Sequence, residues 1–310
     1  MNRARMCGTA LLGLLVTGEA SAHALAGARV FVPTLTMDDP GVADEAALPT
    51  GQWQRRGVDA DGSGPSQSVQ MNVEIDKRIT ENLGIGVNWG GTALFVAHGK
   101  NNSGMLNLAV TGKYQAYVNP QHEFIASVGV VRSFGGTGAL RVGADATGST
   151  TPTLYVGKGF GDLPIGPLRA LGVTGELAYT IPDRRINATL DNNGLQAVWA
   201  GGVSLQYSLA YLKDNVKDYG LPDFVNRLVP TVEVTWSSAG ARSPGYPTQL
   251  LYAVGAFYMA DNYDIGVELL VPGNRATGTN LGVIAQLHLF LDDLFPTTLG
   301  RPIFGGEGVR

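Results

Sequence analysis

The chain has 310 residues, of which 15% are charged and 43 are glycine, with a formal charge of −4 and a mean hydropathy near zero. That balance lacks the basic footprint of a nucleic-acid partner, and no stretch reaches the roughly 20 apolar residues of a membrane-spanning helix. The one cysteine, Cys7, lies in the leader, so the mature chain is expected to have no disulfide and no thiol chemistry.

Met1-Asn2-Arg3-Ala4-Arg5 is a basic start, Cys7 to Thr17 is apolar, and Glu19-Ala20-Ser21-Ala22-His23-Ala24 supplies small residues. Together they predict a signal peptide over 1–24, cut after an A-x-A pattern at Ala20-Ser21-Ala22 or Ala22-His23-Ala24. The apolar run is too short for an anchor, and Cys7 precedes it instead of following it as in a lipoprotein. Loss of Arg3, Arg5 and Glu19 takes the mature chain to −5. Residues 25–48 read as irregular and polar, with a turn at Asp38-Asp39-Pro40-Gly41.

From there the chain alternates. In Ser68-Val69-Gln70-Met71-Asn72-Val73-Glu74-Ile75-Asp76 every odd residue is apolar and every even one polar, which gives a strand one greasy and one wet face. A weaker strand is expected around Trp53, from Pro49 to Gly57. Clearer ones follow at 68–78, 83–96, 104–118, 122–134, 152–160, 168–181, 195–209, 228–238, 249–260, 263–271 and 280–291. Most reach the roughly 9–11 residues with which a tilted strand crosses a bilayer. The expected fold is all-β: a transmembrane antiparallel up-and-down β-barrel of about twelve strands over 49–291, with a C-terminal tail at 292–310.

The connections alternate too. Thr80-Glu81-Asn82, Asn119-Pro120-Gln121 and Asp261-Asn262 are tight turns, and between them lie longer linkers such as Gly135 to Thr151 and Pro182 to Gly194. Outer-membrane barrels keep short turns on the periplasmic side, which places both termini there. Ala210 to Arg227 is the exception, and Tyr211 to Asp218 within it is expected to form a short helix at the base. Outward parity puts Tyr114, Phe124, Tyr207 and Tyr263 near the periplasmic ends and Phe95, Tyr179, Trp199 and Trp236 near the external ends. Two such girdles suit a bilayer interface. A secreted β-sandwich, the competing architecture, has no reason to sort its aromatics in this way.

Asn280-Leu281-Gly282-Val283-Ile284-Ala285-Gln286-Leu287-His288-Leu289-Phe290 resembles the C-terminal signal read by the barrel assembly machinery, although here Leu291 to Arg310 follow it. Four further segments carry a wider resemblance: Leu35 to Val42, Val110 to Pro120, Gly159 to Pro164 and Phe290 to Pro296. These look like a family of mostly uncharacterised proteobacterial exported proteins, loosely grouped with outer-membrane transporter-like barrels and in part with phenol-degradation meta-pathway barrels. The resemblance implies location in the Gram-negative outer membrane, with outer-membrane lipids as partners. It brings no catalytic motif.

A twelve-stranded barrel falls between small barrels filled by side chains and large ones holding an aqueous channel. By parity Glu74, Asp76, Lys113, Glu123, Glu176, Glu233, Glu268 and His288 point inward, together with polar residues that include Asn72, Asn88, Asn107, Gln206 and Gln286. Four mid-depth glutamates against Lys113 give an acidic lumen that attracts cations. The opposing reading is a paired network in which Arg29, Arg55, Arg56 or Arg301 neutralises them, because buried lone charges are costly. His98, His122 and His288 lack metal-site spacing, so no metal or cofactor is expected, and no nucleophile or phosphate-loop motif points to an enzyme. The expectation is a passive channel or transporter for a small-molecule solute. The alternative is a structural or adhesive barrel. A carrier of hydrophobic compounds, which the family label hints at, needs an apolar lumen pocket or a lateral opening that the inward residues do not supply.

Overall fold

Alternation in the sequence becomes the wall of a closed barrel. The computed structural model describes residues 24–56, 66–97, 99–184, 195–241, 243 and 245–304. The signal peptide apart from Ala24, and His98, lie outside them. Two short strands, β1 (Ala24–Ala26) and β2 (Arg29–Phe31), pair only with each other. The sheet then comprises β3 (Glu45–Arg56), β4 (Ser66–Thr80), β5 (Leu83–Val96), β6 (Asn102–Met105), β7 (Ala109–Asn119), β8 (Phe124–Ser133), β9 (Ser149–Gly159), β10 (Leu171–Pro182), β11 (Val198–Tyr207), β12 (Leu228–Ala239), β13 (Gln249–Met259), β14 (Tyr263–Pro272) and β15 (Gly282–Phe290). Every neighbour is antiparallel, and β15 returns to pair with β3, so no edge is left open. Strands β6 and β7 share one place beside β5, which makes this a twelve-stranded barrel.

The strand around Trp53 is real and begins at Glu45. Its Pro49 sits in a register shift between Ala47 and Thr50, where a missing N–H interrupts no ladder bond. The single strand expected over 104–118 is broken at 106–108. There Trp89 Nε1 donates to Leu106 O (3.0 Å) and Leu108 N to Thr137 Oγ1 (2.9 Å). Asn107, expected to face the lumen, is instead taken up by the following loop: its side chain accepts from Gly138 N (2.9 Å) and donates to Asp145 O (2.8 Å). Alternation alone does not register the break, because Leu106-Asn107-Leu108 keeps the strand pattern while loop side chains supply its partners.

Outward residues of β4 (Val69, Met71, Val73 and Ile75) are 39–49% exposed, and the same pattern runs round the wall through Val128, Leu154, Val203, Val254 and Val267. A continuous apolar belt of this extent is compatible with hydrocarbon and not with water. Phe95, Trp199 and Trp236 stand at the long-loop end of the belt and Tyr114 and Tyr117 at the short-turn end. The wall therefore spans a bilayer. At the short-turn end the long β11–β12 connection forms α1 (Leu209–Asn215), capped by Ser208 Oγ accepting from Tyr211 N (3.1 Å), and α2 (Asp223–Asn226). After β15 the chain makes α3 (Leu291–Leu294) and turns back under the wall.

Candidate functional site

Residues 24–44 fold into the barrel. They enter at the short-turn end as the β1–β2 hairpin, rise to a lap at Thr36–Met37, and descend through Pro40 to Asp44, from which β3 starts. Inward glycines make the room. A Cβ on Gly157 would lie 3.1 Å from Pro40 Cγ and 3.2 Å from Phe31 Cε2, and one on Gly202 would lie 2.6 Å from Met37 Sδ. Val32 and Leu35 pack against Val229, Ala253, Phe257, Leu270 and Ile284 of the wall, while Phe31 joins Ala24, Ala26 and Ile125.

Polar inward side chains hold this segment by its main chain. Val32 N donates to Gln206 Oε1 (3.1 Å), and Gln206 Nε2 donates back to Val32 O (3.2 Å). Leu35 N and Thr36 N donate to the two oxygens of Glu233 (3.2 and 3.0 Å), and Thr36 Oγ1 adds a third bond (2.5 Å). Asp38 N donates to Glu176 Oε2 (3.2 Å). Lys113 Nζ reaches Asp38 Oδ1 (2.8 Å) and Asp39 O (3.0 Å), and Ser127 Oγ donates to Pro40 O (2.5 Å). In a medium that competes little for hydrogen bonds, such side-chain donors and acceptors take the place of the ladder this non-strand backbone lacks.

The eight residues singled out by parity occupy four settings. Lys113, Glu176 and Glu233 hold the plug. Glu123, in the turn before β8, binds Arg29 (3.2 Å), Tyr211 Oη (2.6 Å) and Gly161 N (3.0 Å); Arg29 itself is buried, with its guanidinium 3.8 Å above the Tyr211 ring. Glu268 is fully buried with neither carboxyl oxygen hydrogen-bonded, and its Cγ lies 2.8 Å from where a Gly255 Cβ would stand, so it leans across that glycine. Glu74, Asp76 and His288 line open space. Arg29 thus pairs with Glu123 of a turn instead of with a mid-depth glutamate of the wall, whereas Arg55 is exposed and Arg301 lies at the base. The side chain of Arg56 lies outside the described residues.

That open space is a cavity of about 250 Å³ between the plug lap and the β3–β5 and β15 wall. Asp38, Asp39, Glu45, Glu74 and Asp76 contribute carboxyl groups to it, beside Asn72, Asn88 and Gln286. Asn88 Nδ2 donates to Glu74 Oε2 (3.0 Å), and His288 sits between Asp264 (3.2 Å) and Glu45 (3.4 Å). Among the described residues no three His, Cys, Asp or Glu side chains converge to hold a metal ion.

Sequence reasoning missed Asp38, Asp39 and Glu45 as cavity groups and the hub at Asp44. Asp44 is fully buried and binds Lys77 Nζ (2.5 Å), Arg78 N (2.7 Å) and Arg78 Nε (2.8 Å), while its carbonyl accepts from Leu291 N (2.9 Å). Arg78 also donates to Gly300 O (2.9 Å) and stands 3.5 Å from Asp292. Burial pushes the Asp292 carboxyl up to about 7, against the opposing pull of Arg78. One guanidinium therefore ties the foot of the plug to the C-terminal tail. The inward glycines were the available signal: at Gly157 and Gly202 the missing side chain makes room for Pro40, Phe31 and Met37 of another segment.

On the outer face a second, apolar concavity of about 740 Å³ lies among Leu83, Tyr114, Val128, Leu154, Leu177 and Trp199. Its lining also includes Gly112, with nothing within 4 Å of the position a side chain would take, and reaches the inward residues Lys113, Gly129 and Thr153.

No protein-family model and no curated protein matches the chain. Solved structures do. The COG4313 outer membrane channel from Pseudomonas putida F1 aligns over 80% of this chain and 96% of its own, with a TM-score of 0.54 and 11% identity. The NanC porin aligns over 79% and 99% (TM-score 0.49, 10% identity) and the KdgM porin over 79% and 98% (TM-score 0.46, 10% identity). At such identities the likeness concerns the barrel fold.

Proposed function

We propose that this chain is an outer-membrane channel for small solutes in a Gram-negative bacterium, held shut by its own N-terminal segment. The seating of residues 24–44 on Gln206, Glu233, Glu176 and Lys113 carries the reading. It occupies the lumen between facing strands and leaves the acid-lined cavity beside the lap, which displacement of the segment would extend into a passage. Opening is displacement of the lap, which bares Glu176 and Glu233 to the same passage as Glu74 and Asp76. A low-dielectric wall focuses that charge, so cations are favoured over anions. No step of the reading is catalytic.

Planar-bilayer recording under a salt gradient tests it. Conductance steps with a cation-selective reversal potential are expected. An anion-selective potential would refute the acidic passage. Silence from both the native protein and Glu233→Ala would refute the channel and favour the structural or adhesive barrel.

The apolar concavity on the outer face favours a second reading, in which an apolar solute enters from the bilayer side, in keeping with the resemblance to phenol-degradation barrels. Gly112→Trp would fill that concavity. It should reduce uptake of an apolar probe and spare ionic conductance if this route operates, and change neither if it does not.

A further inference from the structure

Besides Ile165 and Leu168 of the β9–β10 connection, two stretches at the short-turn end leave large apolar side chains uncovered. Phe295, Leu299, Ile303 and Phe304 of the tail are 46–66% exposed, and Phe224 of α2 is 63% exposed. The tight turns at 81–82, 120–122 and 261–262 on the same rim carry Glu81-Asn82, Pro120-Gln121-His122 and Asp261-Asn262. The apolar residues are thus confined to the connections long enough to lie along the wall.

Both stretches continue the lipid-facing surface. Ile303 N donates to Arg78 O (3.2 Å) and Phe304 N to Ile79 O (2.8 Å), so the tail lies beside the foot of β4, in the space below the start of β3. Phe224 stacks on Tyr258, with ring centroids 5.2 Å apart, and Tyr258 shares the outward face of β13 with Tyr252 and Val254. Part of the tail's polar groups turn to the barrel: Asp292 is buried against Arg78, and Gly300 and Arg301 offer carbonyls to Arg78 and Lys77, whereas Asp293, Thr297, Thr298 and the Arg301 side chain stay exposed beside the apolar residues. A stretch tied to the barrel through buried polar groups, with bare aromatic and aliphatic side chains set among polar ones, suits the headgroup–acyl boundary, where both kinds of group are accommodated.

We propose that the tail and the α2 connection form a skirt seated in the bilayer interface at the short-turn end, with phospholipid as its partner. The skirt goes beyond the channel reading and requires only that the wall spans a membrane. It would fix the depth of the barrel and brace the rim at which Arg78 joins tail to plug.

The mature chain has no native cysteine, so single labels can be placed cleanly. Phe304→Cys, Leu299→Cys and Phe224→Cys, each carrying an environment-sensitive fluorophore, are reconstituted as full-length mature protein in phosphatidylethanolamine–phosphatidylglycerol vesicles. These contain lipids spin-labelled either near the headgroup or near the chain end. Each rim label should lose at least about half of its emission to the shallow quencher and resist aqueous iodide. Quenching by iodide with no effect of lipid would overturn the skirt and leave the rim as a docking face for a periplasmic protein. Val254→Cys in the mid-belt is the control: a label there that the deep quencher does not reach would overturn the membrane-spanning wall itself. Heat-modifiable migration of each labelled variant verifies that it has folded, and Phe224→Cys carries the test if the tail variants fail to fold.

Discussion

Glu233 is the residue whose removal should free the plug most directly. It is fully buried and accepts from Leu35 N, Thr36 N and Thr36 Oγ1. Hydrogen bonds to a charged partner contribute about 1.5–3 kcal/mol each, but three bonds on two oxygens do not add independently. The displaced segment also regains water at its freed N–H groups. We therefore expect Glu233→Ala to weaken plug seating by about 3 kcal/mol, close to two orders of magnitude in the closed-to-open ratio. Glu233→Gln keeps the shape and one acceptor and should cost about half of that. Hydrogen–deuterium exchange over residues 30–40 reads the seating, and single-channel recording reads the passage; both should move, and by more in Ala than in Gln. Unchanged exchange at Leu35 and Thr36 in Glu233→Ala would refute the argument that this carboxylate holds the lap, whatever the conductance does.

Three further outcomes follow from the geometry. Gly202→Leu places a branched side chain where Met37 Sδ would stand 2.6 Å from the new Cβ, so the lap should be expelled and open-channel events should increase while the barrel keeps its heat-modifiable migration. Arg78→Ala leaves buried Asp44 with Lys77 as its remaining cation and the N–H of residue 78, and also releases Gly300 O and Asp292. A loss of about 3–5 kcal/mol is expected, seen as a lower unfolding midpoint and faster proteolysis at both the plug foot and the tail. Asp292 makes tail docking pH-dependent. Its carboxyl is pushed from an ordinary 3.8 up to about 7 on docking, so docking takes up a proton. The contribution is full below about 3.8 and is lost as pH rises to about 7. Cleavage of the tail by a protease active across that range should therefore accelerate as pH rises, and Asp292→Asn should flatten the trend.

The wall was legible because hydrocarbon demands apolar side chains on one face only. Val69, Met71, Val73 and Ile75 on β4, and Val232, Val234 and Trp236 on β12, show that demand without tertiary context. The start of β3 was not, because Ala46 and Ala47 are small and buried and carry no outward signature. Asp38-Asp39-Pro40-Gly41 was readable as a turn, yet not as the turn that carries the plug back down. Parity put Glu176 and Glu233 inside, but whether an inward carboxylate faces water, a cation or a peptide N–H is decided by residues far off in sequence. The partners here, Asp38, Leu35 and Thr36, are 138, 198 and 197 residues away. Loop side chains replacing a ladder at 106–108 leave no local trace for the same reason.

Because the wall grips Val32, Leu35, Thr36, Asp38, Asp39 and Pro40 largely through peptide groups, the identity of the side chains that line the cavity is only weakly tied to how the plug is held. Thr34 and Asp39 border the open space while the bonds that seat their neighbours run through main-chain atoms; the Asp38 carboxylate, held by Lys113 Nζ, is the exception. The plug thus behaves as a cartridge. Exchanging those side chains should retune which solutes the passage tolerates without rebuilding the barrel, giving selectivity and closure separate routes of variation within one short segment.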